Sequence, residues 1–210
     1  MQFDALSAFL VSRGYSVYQP NISDLHTLNG TLVLSGIGRL GLQLHYDIED
    51  AAQYLVQNKI ATADSMCIAG KEYGGFAALM ASVTSPSLFK CAISYAGISH
   101  IGKTLGSRTY FGNKETMHKI MGTEEQQLQN AAPVLQAEKI NIPILLIHGS
   151  DDTSVRVQQS QMMADELKRL SKTYEYIELD GGSHDLDYLP HRKQVYEAIE
   201  AFLQKYLPIE

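Results

Sequence analysis

The sequence predicts an α/β fold, a mostly parallel sheet with helices on both faces, and three observations carry that prediction. Apolar runs of strand length alternate with helix-length segments between residues 66 and 206, the pattern of repeated β-α units. One run, Pro143-Ile144-Leu145-Leu146-Ile147-His148, is continuous and lacks an alternating polar face, the mark of a strand covered on both sides. A third stretch, from Met66 to Val83, reads as a strand, a Gly-flanked tight turn and a small-residue helix in immediate succession.

Each element follows from local pattern. Phe3, Leu6, Phe9 and Leu10 recur at helical spacing, and Gly14 stops that helix. Tyr15-Ser16-Val17-Tyr18-Gln19 reads as a strand ended by Pro20. Asn21 to Gly41 is rich in Gly, Ser and Asn and predicts a loop with one short strand at Thr31 to Leu34. Ile48, Ala51, Ala52 and Leu55 predict a helix from about Tyr46 to Asn58. The Met66–Ala69 strand and its turn lead into a helix ending near Val83, and Ser85-Pro86-Ser87 forms a turn. Lys90 to Tyr95 is the next strand, and residues 97 to 135 are mixed, with short helical pieces near 114–121 and 124–130. After Pro143–His148 come a helix from Val157 to Leu170, a strand from Thr173 to Leu179, and an amphipathic helix from Pro190 to Tyr206. Crossovers between parallel strands are expected to be right-handed, with a site at the carboxyl ends of the strands.

Composition narrows the function classes. The 210 residues suit one domain, 1–210, with an ample core. A net charge of −6, with no basic stripe, argues against nucleic acid and anionic membrane surfaces as partners. No run approaches the ~20 apolar residues of a membrane span, and no signal peptide is visible. A cytoplasmic location is therefore expected for the chain as it stands, or a periplasmic one if a leader lies upstream. Cys67 and Cys91 both sit inside apolar runs and are expected to be buried thiols. No cofactor or metal is expected. His26, His45, His100, His118 and His191 lack metal-ligand spacing, and Asp185 and Asp187 suggest no more than a solvated loop. Gly36-Ile37-Gly38-Arg39-Leu40-Gly41 fits G-x-G-x-x-G but follows no firm strand and opens no clear helix.

Three loops at predicted strand ends carry catalytic residue types: Gly70-Lys71-Glu72-Tyr73-Gly74-Gly75, His148-Gly149-Ser150-Asp151-Asp152-Thr153-Ser154-Val155, and Gly181-Gly182-Ser183-His184. The first has the layout of a nucleophile elbow, G-x-S-x-G, with Glu72 where Ser belongs. The order of nucleophile, acid and histidine is that of the α/β-hydrolases. Such chemistry needs an exposed nucleophile, a His to accept its proton and a carboxylate to orient that His.

On these residues the chain resembles the C-terminal catalytic domain of the prolyl oligopeptidase family of serine peptidases, with its acylaminoacyl- and dipeptidyl-peptidase relatives. Arg13-Gly14-Tyr15-Ser16-Val17-Tyr18-Gln19-Pro20-Asn21, Asp47-Ile48-Glu49-Asp50-Ala51, Tyr73-Gly74-Gly75, Ser94-Tyr95-Ala96-Gly97 and His148-Gly149 with Asp152 and Val155 carry the resemblance over nearly the whole chain. It implies an α/β-hydrolase fold and a peptide or acyl-peptide substrate. It also implies Glu72 at the nucleophile position, Asp152 rather than Asp151 as acid, His184 as base, and the Tyr73 backbone N–H in the oxyanion hole.

Three departures bear on activity. Glu72 replaces the family's Ser. Asn21-Ile22-Ser23-Asp24 stands where the family usually has Asn-Tyr-Arg-Gly, so Ile22 lacks the hydroxyl that helps form the oxyanion hole. The family also places a strand, a His-Gly-Gly-like loop and normally a β-propeller before the Phe3 helix. N-terminal strands are thus expected to be missing from the sheet, as in a truncated or split product, unless a homo- or hetero-oligomer completes it or the neighbours close up. The resemblance therefore predicts a peptidase-derived domain with a disabled site, because a carboxylate beside His184 favours an imidazolium that cannot accept a proton. The vertebrate non-enzymatic dipeptidyl-peptidase-like proteins have similarly lost their Ser. Three alternatives stay open: an interaction or regulatory domain using the peptidase surface, a small-molecule hydrolase with Glu72 as carboxylate nucleophile, and a position altered from its natural residue.

Overall fold

The structure is a computed structural model and describes residues 4–20, 42–105 and 125–209. Among these residues the sheet has four strands, β1 (Cys67–Lys71), β2 (Cys91–Tyr95), β3 (Ile144–Gly149) and β4 (Tyr174–Leu179), in the order β1-β2-β3-β4. All three pairings are parallel. Consecutive right-handed crossovers that step in one direction place their helices on one face. That face carries α3 (Tyr73–Thr84), the 3-10 segment Pro133–Lys139 and α6 (Gln158–Arg169). The short helices α4 (Ile101–Leu105) and α5 (Glu125–Asn130) lie within the β2–β3 connection. The other face is left to helices that join no two strands, α1 (Ala5–Ser12) and α7 (Leu189–Tyr206).

Register divides the strand residues between these layers. Ala92, Ile144 and Leu146 pack with Leu79, Val83, Met163 and Leu167. Their alternates Ile93, Tyr95, Leu145 and Ile147 pack with Val195, Ile199, Phe202 and Leu203 of α7. β2 and β3 are therefore buried at every position, which explains the unbroken apolar run read at 143–148. Helix α3 is buried from Gly75 to Val83, because α2 (Leu42–Gln57) covers it through Ile48 and Ala52 on the side away from β2. The Asp4 carboxylate caps α1 by accepting from the Leu6 and Ser7 N–H groups.

Two expectations are corrected. The segment expected as a strand at Tyr15–Gln19 has no regular secondary structure and pairs with no strand among the described residues. It folds back on α1 instead. Tyr15 N donates to Leu10 O at 3.1 Å, and Gln19 Nε2 donates to Asp4 Oδ2 at 3.0 Å. Cys67 and Cys91, expected as free thiols, form a disulfide. Parallel pairing sets them directly opposite each other with their Cα atoms 4.7 Å apart, well within bridging range. The strand expected at Thr31–Leu34, the helical piece near 114–121, the Gly36–Gly41 motif and Ile22 lie outside the described residues.

Candidate active site

The carboxyl end of β1 builds the elbow. A Cβ on Gly70 would stand 2.2 Å from the Gly74 carbonyl group, so the helix start can fold onto the strand end only with glycine there. Glu72 takes φ 58° and ψ −111°, a left-handed conformation that a side-chain-bearing residue adopts at a cost of about 1–3 kcal/mol. The surroundings impose it. Glu72 N donates to Tyr95 O at 2.8 Å, and Glu72 O accepts from Phe76 N at 2.9 Å to open α3. The elbow side chain is thereby projected above the sheet at the first turn of a helix, where the dipole favours an anion. Tyr73 is the first residue of α3, and its N–H belongs to the set that has no acceptor within the helix.

The acid and histidine loops meet backbone to backbone. Asp151 N donates to Gly182 O at 2.9 Å, and Ser150 N to Leu179 O at 3.0 Å. A Cβ on Gly149 would come within 2.3 Å of Gly182 O, so this approach also requires glycine. Asp152 is buried at 3% exposure. Its Oδ1 accepts from the Ser154 and Val155 N–H groups, each at 2.8 Å. Its Oδ2 lies 2.8 Å from His184 Nδ1 and 3.3 Å from His148 Nε2. Burial works against the charge of Asp152, yet donation from His148 and His184, with help from the Val155 N–H, holds its carboxyl well below the usual carboxylate range.

The other ring nitrogen of His184, Nε2, faces the elbow 3.4 Å from Glu72 Oε2. Asp152, then Glu72, push the imidazole from its ordinary 6.5 up to about 9, overriding partial burial and the repulsion of Lys71. The structure thus brings Glu72, His184 and Asp152 into one line, carboxylate–imidazolium–carboxylate. Asp151 takes no part in that line.

The loop motifs did not point to the groups that hold this line in place. Lys71 Nζ pairs with Asp185 Oδ1 at 2.5 Å and lies 5.7 Å from the Tyr95 ring centroid. The Tyr95 hydroxyl donates to His184 O at 3.2 Å. Together they tie the histidine loop to the ends of β1 and β2. Asp185 beside His184, and Lys71 beside Glu72, were the available signals, but only the fold shows that they face each other. Among the described residues, no cluster of three or more His, Cys, Asp or Glu side chains is placed to hold a metal ion, and no helix is long and apolar enough to cross a membrane.

The sequence profile of the prolyl oligopeptidase family matches residues 1–209. Dipeptidyl peptidase family member 6 of Caenorhabditis elegans is 27% identical over 213 residues, covering 98% of this chain and 29% of that protein. Dipeptidyl aminopeptidase BIII of Pseudoxanthomonas mexicana is 24% identical over 215 residues, covering 98% of this chain and 31% of that protein. A puromycin-hydrolyzing peptidase of Mycobacterium tuberculosis superposes with a TM-score of 0.79 at 27% identity, covering 85% of this chain and 27% of that one. For the Pyrococcus horikoshii acylaminoacyl peptidase the TM-score is 0.75 at 25% identity, covering 85% and 30%. The chain spans less than a third of the length of each of these proteins.

Proposed function

The chain belongs to the prolyl oligopeptidase family, and from that premise we propose that residues 1–210 form one peptidase-derived α/β-hydrolase domain whose site is held closed to serine-type chemistry by its own carboxylate. The observation that carries this reading is the 3.4 Å approach of Glu72 Oε2 to His184 Nε2, with His184 Nδ1 on Asp152 at 2.8 Å. Acyl transfer needs a hydroxyl that gives up a proton and an imidazole that takes it. An ionised Glu72 has no proton to give. A His184 that titrates near 9 is neutral in only about one molecule in a hundred at pH 7. The surface that held peptide or acyl-peptide segments in the ancestor then serves binding without turnover. A partner strand would add at the outer edge of β1, which is unpaired among the described residues.

A serine-reactive fluorophosphonate probe tests the reading. The native chain is expected to remain unlabelled and to leave acyl-peptide substrates intact; labelling at the elbow, or turnover, overturns it. Glu72→Ser separates two ways of being disabled. If this variant takes the probe, residue 72 alone blocks the site. If it does not, the oxyanion side is lost as well. A carboxylate nucleophile would instead carry heavy oxygen from labelled water into Glu72 during a single turnover.

A further inference from the structure

Asp152 is gripped by two histidines, and only one of them reaches toward Glu72. The other, His148, is the next-to-last residue of β3, four residues before the acid, and is fully buried. Its Nε2 lies 2.8 Å from Val155 O and 3.3 Å from Asp152 Oδ2, while its Nδ1 meets Ser160 Oγ at 2.7 Å. A carbonyl oxygen can only accept, so Nε2 carries a proton, and that proton is shared between Val155 O and the acid. The Asp152 carboxylate therefore has donors on both oxygens: two backbone N–H groups on Oδ1, and a histidine from either side on Oδ2. A carboxylate supplied in this way holds one rotamer and keeps its charge. Ser160, the anchor of the far side of the His148 ring, is itself buried on α6.

We propose that His148 is a positioning residue of this site, fixing the rotamer and charge of Asp152 and, through it, the orientation of His184 against Glu72. The proposal goes beyond the reading given above, because it concerns the acid and its two histidines and holds whether or not residue 72 supports turnover. A merely structural His148 would pin the loop through Val155 O and Ser160 and leave His184 unaffected.

The test is the titration of the His184 ring protons, followed by NMR from about pH 6 to 10 on the full chain. The charged groups acting on that ring are Asp152, Glu72, Lys71 and, through the Lys71 pair, Asp185. Substitution at residue 148 leaves each of these side chains in the sequence, so a change at His184 must pass through the placement of Asp152. His148→Phe, which fills the space without a donor, is expected to release the Asp152 rotamer, weaken its bond to His184 Nδ1 and so lower the His184 midpoint by about one pH unit, a tenfold loss of proton affinity; a raised midpoint, the mark of a carboxylate that only lost a competing donor, overturns the proposal. His148→Gln, whose amide N–H can reach toward the same acceptors, is expected to restore most of it. An unchanged midpoint in both variants overturns the proposal, whatever their melting temperatures. The unmodified chain supplies a second reading if the Phe variant does not fold. Its His148 ring signals should shift in step with the His184 titration, because both rings share Asp152 Oδ2, and His148 signals that stay constant while His184 titrates overturn the proposal.

Discussion

At residue 72 a left-handed backbone conformation carries a carboxylate side chain. The backbone has the positive φ of an elbow, and His184 stands between this carboxylate and Asp152. The carboxylate acts on the electrostatics of the histidine. Because His184 titrates at about 9 rather than at its ordinary 6.5, its ion pairs contribute fully below about pH 6.5. That contribution is lost as pH rises through about 9. The native chain should therefore lose melting temperature across this window. Glu72→Gln removes one of the two anions paired with the ring, so it should bring the His184 midpoint down toward 6.5 and flatten the loss. A Gln variant that titrates and melts as the native chain does would show that Glu72 does not act on His184. Glu72, Asp152 and His184 were legible in the sequence because each sits in a short motif after a predicted strand. Tyr95 and Asp185 were not, because their roles depend on contacts between loops far apart in the chain.

Among the elements, β1 shows what a sequence leaves open. Its apolar run and Gly-bounded end located the strand and the elbow, but no local pattern states which residue of β2 lies opposite Cys67. Register across a connection that contains α3 is a tertiary property, and it turns two expected thiols into a disulfide. Tyr15–Gln19 failed for the converse reason. Its Tyr and Val content suits a strand, but a strand also needs an edge to pair with, and among the described residues this segment is tied instead to α1, through Tyr15 N and the Gln19 side chain, and to Leu207 O through the Tyr15 hydroxyl. The bridge closes a loop with a sequence separation of 24, for which chain entropy predicts about 3.5 kcal/mol of stabilisation. Reduction, or a Cys67→Ser and Cys91→Ser double variant, should lower the melting temperature by roughly 10 °C. Equal melting with and without a dithiol reductant would count against a stabilising bridge. Disulfides persist in oxidising compartments, so chain isolated from its native source without reductant and then unfolded in denaturant should show no maleimide-reactive thiol. Two reactive thiols per chain would instead agree with the cytoplasmic expectation.

At the scale of the whole molecule, β2 and β3 belong to two cores at once. Ala92, Ile144 and Leu146 face α3 and α6, while Ile93, Leu145 and Ile147 face α7. The layered architecture was legible because strand and helix periods alternate along the sequence. The assignment of α1 and α7 to one face was not, since it follows from the strand order, which only the assembled sheet displays. Sharing two central strands should make the two layers unfold together. Leu167→Ala empties the α6 side and Phe202→Ala the α7 side, both at fully buried positions. Each should cost about 2–5 kcal/mol and lower the melting temperature by roughly 5–15 °C, within a single transition seen alike by near- and far-ultraviolet circular dichroism. Neither residue is among the partners of the Glu72–His184–Asp152 line, so the His184 midpoint should hold at the native value in both variants below their melting temperatures. Two resolved transitions in either variant would show that the layers are separate cooperative units. A shifted midpoint would show that the packing of one face, and not only the three loops at the strand ends, sets the electrostatics of the site.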